Sequence, residues 1–155
     1  MATKEIERKI AVIFATDVVG YSKSIEINEE KTIKSLRACK KILEDLFKEH
    51  DGRIFNTAGD SVLAEFSSAV SAVICATEFQ KLIKERNKSE TTDLKMEFRI
   101  GINMGDVVVE GDNLYGDGVN IAARIEALAQ PNGVCISRSV HEFINKKIEF
   151  LFNDL

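Results

Sequence analysis

Lys9-Ile10-Ala11-Val12-Ile13-Phe14-Ala15-Thr16, with Asp17 directly after it, is the stretch whose reading decides the fold. It is an unbroken apolar run rich in β-branched residues, the pattern of a strand covered on both faces rather than one. The neighbouring segments must therefore supply strands beside it and helices on its faces. From Asn28 to His50, residues Ile33, Leu36, Ile42, Leu43, Leu46 and Phe47 recur at helical spacing, and Asp51-Gly52 closes that helix. Arg53–Asn56 and Ser61–Phe66 predict a hairpin around the turn Thr57-Ala58-Gly59-Asp60. Ala69–Arg86 predicts a second helix, with Val70, Val73, Ile74, Ala76, Phe79, Leu82 and Ile83 inward.

Beyond a polar loop at Asn87–Asp93, Lys95–Asn103 alternates, and Met104-Gly105 reads as a turn into a further strand, Asp106–Glu110. Gly111–Gly118 reads as a loop, Val119–Leu128 as a helix ended by the turn containing Pro131, and Val134–Ser137 as a strand. Ser139–Asn145 reads as a helix and Ile148–Phe152 as a last strand. Strands and helices mix without strict βαβ alternation. The expected class is α+β: a ferredoxin-like core with additions, its sheet mixed but mostly antiparallel and packed by helices.

A chain of 155 residues that is 45% hydrophobic and 30% charged suits one soluble globular domain spanning residues 1–155. There is one proline, Pro131, no linker composition and no internal repeat. The end at Asn153-Asp154-Leu155 has no closing signal, which suggests a piece of something longer. No apolar run approaches the roughly 20 residues of a membrane span, and MATKEIERKI lacks the core of a secretory signal. The expectation is a cytoplasmic protein with no direct membrane contact within this chain. A net charge of −4 without a basic face argues against nucleic acid as a partner. Cys39, Cys75 and Cys135 form no CxxC pair and read as reduced, mostly buried thiols. His50 and His141, set among polar neighbours, read as surface or capping residues.

Three places can carry chemistry. Asp17 stands at the end of the buried strand, and the turn Val18-Val19-Gly20-Tyr21-Ser22 after it can turn backbone N–H groups toward an anion. By position alone Asp17 is equally a cap for the next helix. Asp60 lies in a hairpin turn where Gly-Asp is ordinary turn chemistry. Taken together, two carboxylates at neighbouring strand ends form a hard-oxygen site for Mg²⁺ or Mn²⁺ with a phosphate substrate. Asn120 and Arg124, four residues apart on a predicted helix, present an amide and a guanidinium from one face. That pair suits a phosphate whose charge is growing; on spacing alone it is also a surface arginine and a helix-terminal asparagine.

Four segments, in order, resemble the catalytic domain of class III adenylate/guanylate cyclases across about residues 8–155. They are Ala15-Thr16-Asp17-Val18-Val19-Gly20-Tyr21-Ser22, Asn56-Thr57-Ala58-Gly59-Asp60-Ser61-Val62-Leu63-Ala64-Glu65-Phe66, Phe98-Arg99-Ile100-Gly101-Ile102-Asn103-Met104-Gly105-Asp106-Val107 and Tyr115-Gly116-Asp117-Gly118-Val119-Asn120-Ile121-Ala122-Ala123-Arg124. The resemblance implies that Asp17 and Asp60 hold two divalent metals, Mg²⁺ or Mn²⁺, in each site, with the Val18 carbonyl as a further ligand. It implies that Val19, Gly20, Tyr21 and Ser22 bind the β- and γ-phosphates. It makes Asn120 the ribose-orienting residue and Arg124 the group that stabilises the transition state at the α-phosphate. The implied reaction is attack of the ribose 3′-oxygen on the α-phosphorus with release of pyrophosphate. The implied assembly is a homodimer whose two active sites are each shared between the copies.

At the family's base-reading positions, where adenylate cyclases carry a lysine and an aspartate, this chain has Asn56 and Asn113. The Glu/Cys-type pair of guanylate cyclases is absent too. Asp112 stands next to Asn113 and would take its place after a one-residue shift of the loop. An amide both donates and accepts, so three readings stay open for the pair: adenine, guanine, or neither sharply. The reading is a nucleotidyl cyclase making cyclic AMP from ATP, with GTP as the alternative substrate. A degenerate cyclase domain acting as a nucleotide-binding regulatory module is the rival. A diguanylate cyclase on a similar core is disfavoured, because no Gly-Gly-Asp-Glu-Phe-like hairpin is present.

Overall fold

The computed structural model describes residues 6–89 and 94–148. The opening run forms β1 (Glu7–Val18), two residues longer at each end than its apolar stretch. Both neighbouring strands pair with it: β3 (Ser61–Phe66) antiparallel on one side and β4 (Phe98–Glu110) antiparallel on the other. β2 (Gly52–Ala58) pairs with β3. The order β2-β3-β1-β4 carries α2 (Glu29–Glu49) and α3 (Ala69–Lys88) between its strands and is the expected ferredoxin-like core. β5 (Asn113–Tyr115) extends the sheet antiparallel beyond β4, and β6 (Val134–Ile136) pairs with β4 in parallel. The remaining helices are α1 (Tyr21–Ile27), α4 (Asp117–Leu128) and α5 (Arg138–Ile144).

Alternation along β1 splits the core in two. Val12, Phe14 and Val18 point into the larger cluster, where Leu43, Phe47, Phe79 and Ile83 from α2 and α3 meet Ile100, Ile102, Val140 and Ile144. Phe14, Phe47 and Phe66 touch there with ring centroids 5.2–5.6 Å apart. Ala11, Ile13 and Ala15 point the other way, into a smaller cluster with Val107, Leu114, Val119 and Ala122 beneath α4. Small residues on that face let α4 lie close. A Cβ on Gly101 would sit 2.3 Å from the Glu126 amide nitrogen, and one on Gly118 would sit 2.6 Å from the Asp106 carbonyl oxygen. Asn103, buried between them, donates from Nδ2 to the Gly118 carbonyl at 3.0 Å.

Several expectations are corrected. Met104-Gly105 is no turn: Met104 and Gly105 stand opposite Val12 and Ala11 in one unbroken β4 ladder, so the two expected strands are one. A Cβ on Gly105 would come nearest the Asn103 side chain, 3.2 Å from Nδ2, and only into ordinary contact with the Gly118 Cα at 3.6 Å. The real reversal is at Gly111, φ 59°, leading to β5 inside the expected loop. Tyr21 and Ser22, read as the end of a turn, begin α1, which runs on to Ile27; the helix buries none of its residues fully, so it has no apolar stripe to betray it. Leu82, expected inward, is exposed, while Ala72, Cys75 and Gln80 fill the inner face of α3.

Asp17 lies inside β1 rather than after it, because the ladder with β4 runs on to Val18. Asn87 and Lys88 belong to α3, and residues 90–93 of the expected loop lie outside the described residues. So does the expected strand Ile148–Phe152 from residue 149 onward. Cys39 and Cys75 are buried and Cys135 half-buried, with no disulfide among the described residues. Among the described residues no helix is long and apolar enough to cross a membrane.

Gly101→Ala should lower stability by roughly 1–3 kcal/mol in urea unfolding, because α4 backbone, not a mobile side chain, occupies the space. An unchanged midpoint would show that α4 is not seated on β4 at this point.

Candidate active site

The register of β1 assembles the site. Asp17 faces the α4 side of the sheet, directly opposite Arg99 on β4. On the other flank Thr16 pairs with Val62, which brings the β2–β3 turn up beside Val18. There Asp60 Oδ2 accepts the Val18 N–H at 2.9 Å. The turn is held by its own conformation, Gly59 at φ 58°, and by Lys40 of α2, whose Nζ donates to the Gly59 carbonyl at 3.1 Å. The two aspartates of the sequence reading are thus brought to one sheet end by two strand registers.

A third carboxyl joins them. Glu126, on the buried face of α4 and 8% exposed, reaches hydrogen-bonding range of the Asp17 carboxyl. Burial raises the pKa of both groups; for Glu126 the Asp17 charge adds to it and the value is pushed up to about 8. Arg99 opposes the rise in each case. Asp17 Oδ1 and Arg99 Nε are nonetheless buried without a hydrogen-bond partner. A buried carboxylate oxygen lacking a donor, beside Asp60, is a hard-oxygen position short of positive charge, and a divalent cation fits it.

At the turn after β1, the Val19 N–H is already committed to the Glu97 carbonyl at 2.8 Å. Gly20 adopts φ 67°, with open space where a Cβ would be. It precedes the first turn of α1, at Tyr21 and Ser22, which has no side-chain cap and no acidic residue. The Tyr21 ring packs against the larger core cluster.

The structure does not bring the remaining predicted residues to the carboxyl cluster. Val119, Ala122 and Glu126 form the inner side of α4, whereas Asn120 and Arg124 are exposed on its outer side. Asn56 is exposed on β2, just past a bulge at Phe55. Asn113 is half-buried at the start of β5; its Oδ1 accepts the Leu114 N–H and its Nδ2 donates to the Tyr115 hydroxyl, each at 2.9 Å. His50 ends α2 and pairs with Glu78 at 3.0 Å, in a group with Glu49, as a helix-end and surface residue.

Arg99 and Glu126 received no role from the sequence, yet signals were present. Arg99 is a cation between the buried Phe98 and Ile100, in the first half of β4 where residues 100–103 are also buried. Glu126 follows Val119 and Ala122 at the spacing of one helix face, the apolar one.

The chain matches the family described as adenylate and guanylate cyclase catalytic domain over residues 2–154. A relative from Rhizobium meliloti (strain 1021), named "Putative adenylate cyclase 3", is 46% identical over 99% of this chain and 26% of its own length. An adenylate cyclase of Streptomyces coelicolor is 30% identical over 88% of this chain and 34% of its own. This chain therefore spans about a quarter to a third of these two relatives. The crystal structure of an adenylate/guanylate cyclase/hydrolase from Silicibacter pomeroyi superposes with TM-score 0.89 at 34% identity, covering 97% of this chain and 88% of that one.

The raised pKa of Glu126 sets a pH dependence. Between the ordinary value of 4.5 and about 8, the folded state keeps a proton that the unfolded chain releases. Stability of the metal-free protein should therefore be greatest at the acid end of that window and fall as pH rises through it. Thermal melts in EDTA across the window should show this slope, and Glu126→Gln, which cannot ionise, should flatten it. The same slope in the variant would show that another group is responsible.

Proposed function

The chain belongs to the adenylate and guanylate cyclase catalytic domain family, and on that premise we propose that it is the catalytic domain of an adenylate cyclase, converting ATP to 3′,5′-cyclic AMP and pyrophosphate. The observation that carries the reading is the meeting of Asp60 with the Asp17-Val18 end of β1, through the 2.9 Å bond from the Val18 N–H. Asp17 and Asp60, with the Val18 carbonyl, would hold two Mg²⁺ or Mn²⁺ ions, which when bound supply activation of the attacking oxygen and charge neutralisation at phosphorus.

The chain's own groups do the rest. The uncapped amides around Gly20, Tyr21 and Ser22 offer donors to the β- and γ-phosphates, with Val19 shaping the turn. Arg99, beside Asp17 with Nε unpartnered, adds positive charge at the same end of the sheet. Asn120 orients the ribose, and Arg124 meets the charge that grows on the α-phosphate as the 3′-oxygen attacks. Asn56 and Asn113 contact the base.

Asn120 and Arg124 leave α4 on the side away from Asp17, next to Ile121 and Leu128, which are 39% and 62% exposed. That outward face supports a homodimer in which each site combines the aspartates of one copy with the Asn/Arg pair of the other. ATP as substrate agrees with a cytoplasmic location. The second reading, a nucleotide-binding regulatory module, is favoured by one observation: amides stand at both base positions.

The purified protein incubated with ATP, and separately with GTP, in Mn²⁺ should yield cyclic AMP and pyrophosphate from ATP. Cyclic GMP instead would reassign the substrate, and no product from a folded dimer would favour the module. Asp17→Asn should abolish turnover. Arg124→Ala should lower kcat by about 10²–10³-fold with little change in nucleotide binding. Mixing these two inactive variants should restore about a quarter of wild-type activity, since half of randomly exchanged dimers are mixed and each has one complete site. No recovery from variants shown to exchange subunits would overturn the shared site.

A further inference from the structure

We propose that Arg53 is a positioning residue for base selection: it clamps the sheet edge that carries Asn56 to the turn that carries Asn113. The proposal rests on the base-reading role given above to those two asparagines. They stand on β2 and β5, the opposite ends of the order β2-β3-β1-β4-β5, with no ladder between them. Their separation would otherwise follow the twist and curl of four intervening pairings, a soft coordinate. The sheet curls far enough for β2 and β5 to approach one another.

Arg53 closes the remaining gap. Its Nη1 donates to the Asp112 carbonyl at 2.6 Å, one residue before Asn113. Its Nη2 donates to Glu65 Oε1 at 3.0 Å, and Lys9 Nζ lies 2.7 Å from Glu65 Oε2. Burial works against the Glu65 charge, but the hydrogen bonds from Lys9 and Arg53 more than offset it and hold its pKa below the ordinary value. The guanidinium is therefore fixed at two points, one on each side of the gap. A lysine has no planar fork and cannot reproduce that geometry.

The backbone of β2 is shaped to the same end. Arg53 pairs with Glu65 and Ile54 with Ala64, but the bulge at Phe55 places Asn56 opposite Leu63. That extra residue turns Asn56 onto the face of the sheet shared by Arg53 and Glu65. Without it, position 56 would point to the α2 and α3 side. Because an amide can satisfy either purine edge, discrimination by Asn56 and Asn113 depends on where the two groups are held.

The test compares wild type with Arg53→Gln and Arg53→Lys, alongside Asn56→Ala and Asn113→Ala. It reads kcat and KM for ATP and GTP, the melting temperature, and hydrogen exchange over residues 110–116. Both Arg53 variants should change the ATP/GTP ratio of kcat/KM by about tenfold, mainly through KM, with kcat held within about twofold. Exchange at 110–116 should accelerate while the melting temperature stays near wild type.

Unchanged exchange in Arg53→Gln would overturn the clamp. Faster exchange with an unchanged ratio would overturn its role in selection. Asparagine variants that leave the ratio untouched would remove the base-reading assignment itself, and the exchange result would still decide whether Arg53 joins the two edges.

Discussion

The close seating of α4 on the sheet is the constraint on which the rest depends. Gly101 and Gly118 leave no room for a side chain between helix and strand, and the Asn103 side chain on β4 bonds the Gly118 carbonyl of α4. Such contact fixes the helix in height and rotation, because a packed interface has few arrangements and no slack. The rotation in turn decides which residues of α4 meet the sheet. Glu126 is driven against Asp17, and Asn120 and Arg124 are turned to solvent. One helix thereby supplies the buried wall of its own chain's carboxyl site and the exposed residues proposed for the site of a partner.

Electrostatics at that wall are deliberately uncomfortable. Asp17, Asp60 and Glu126 crowd one end of the sheet against a single nearby guanidinium, Arg99, which is itself incompletely bonded. Burial and mutual repulsion raise the pKa of Asp17 and Glu126, so the protein alone carries a strained, partly protonated cluster. A divalent cation held there, as proposed, would relieve that strain by replacing protons with a harder, more concentrated charge.

Much of this was legible along the chain. The apolar run at 10–15 identified the central strand, and the two helical periodicities located α2 and α3. The Gly-Asp turn and the Asn120/Arg124 spacing singled out residues whose neighbours the structure now defines. Where the reading failed, the cause is specific. Met104-Gly105 looked like a turn because glycine commonly breaks strands, whereas here the ladder with β1 carries the strand straight through it, with Val12 and Ala11 opposite. α1 was missed because it rests on the fold without burying an apolar stripe.

By itself the sequence determined the kind of fold and the chemical types at the site, since periodicity and residue identity are properties of the chain. Only the tertiary structure decided which of those residues meet. The register of β1 against β3 and β4 sets Asp17 beside Asp60 and Arg99. The rotation of α4 adds Glu126 and removes Arg124. The bulge at Phe55 chooses the face on which Asn56 stands. Register, rotation and bulge are relations between segments far apart in sequence, fixed by packing and hydrogen bonding that no local pattern contains.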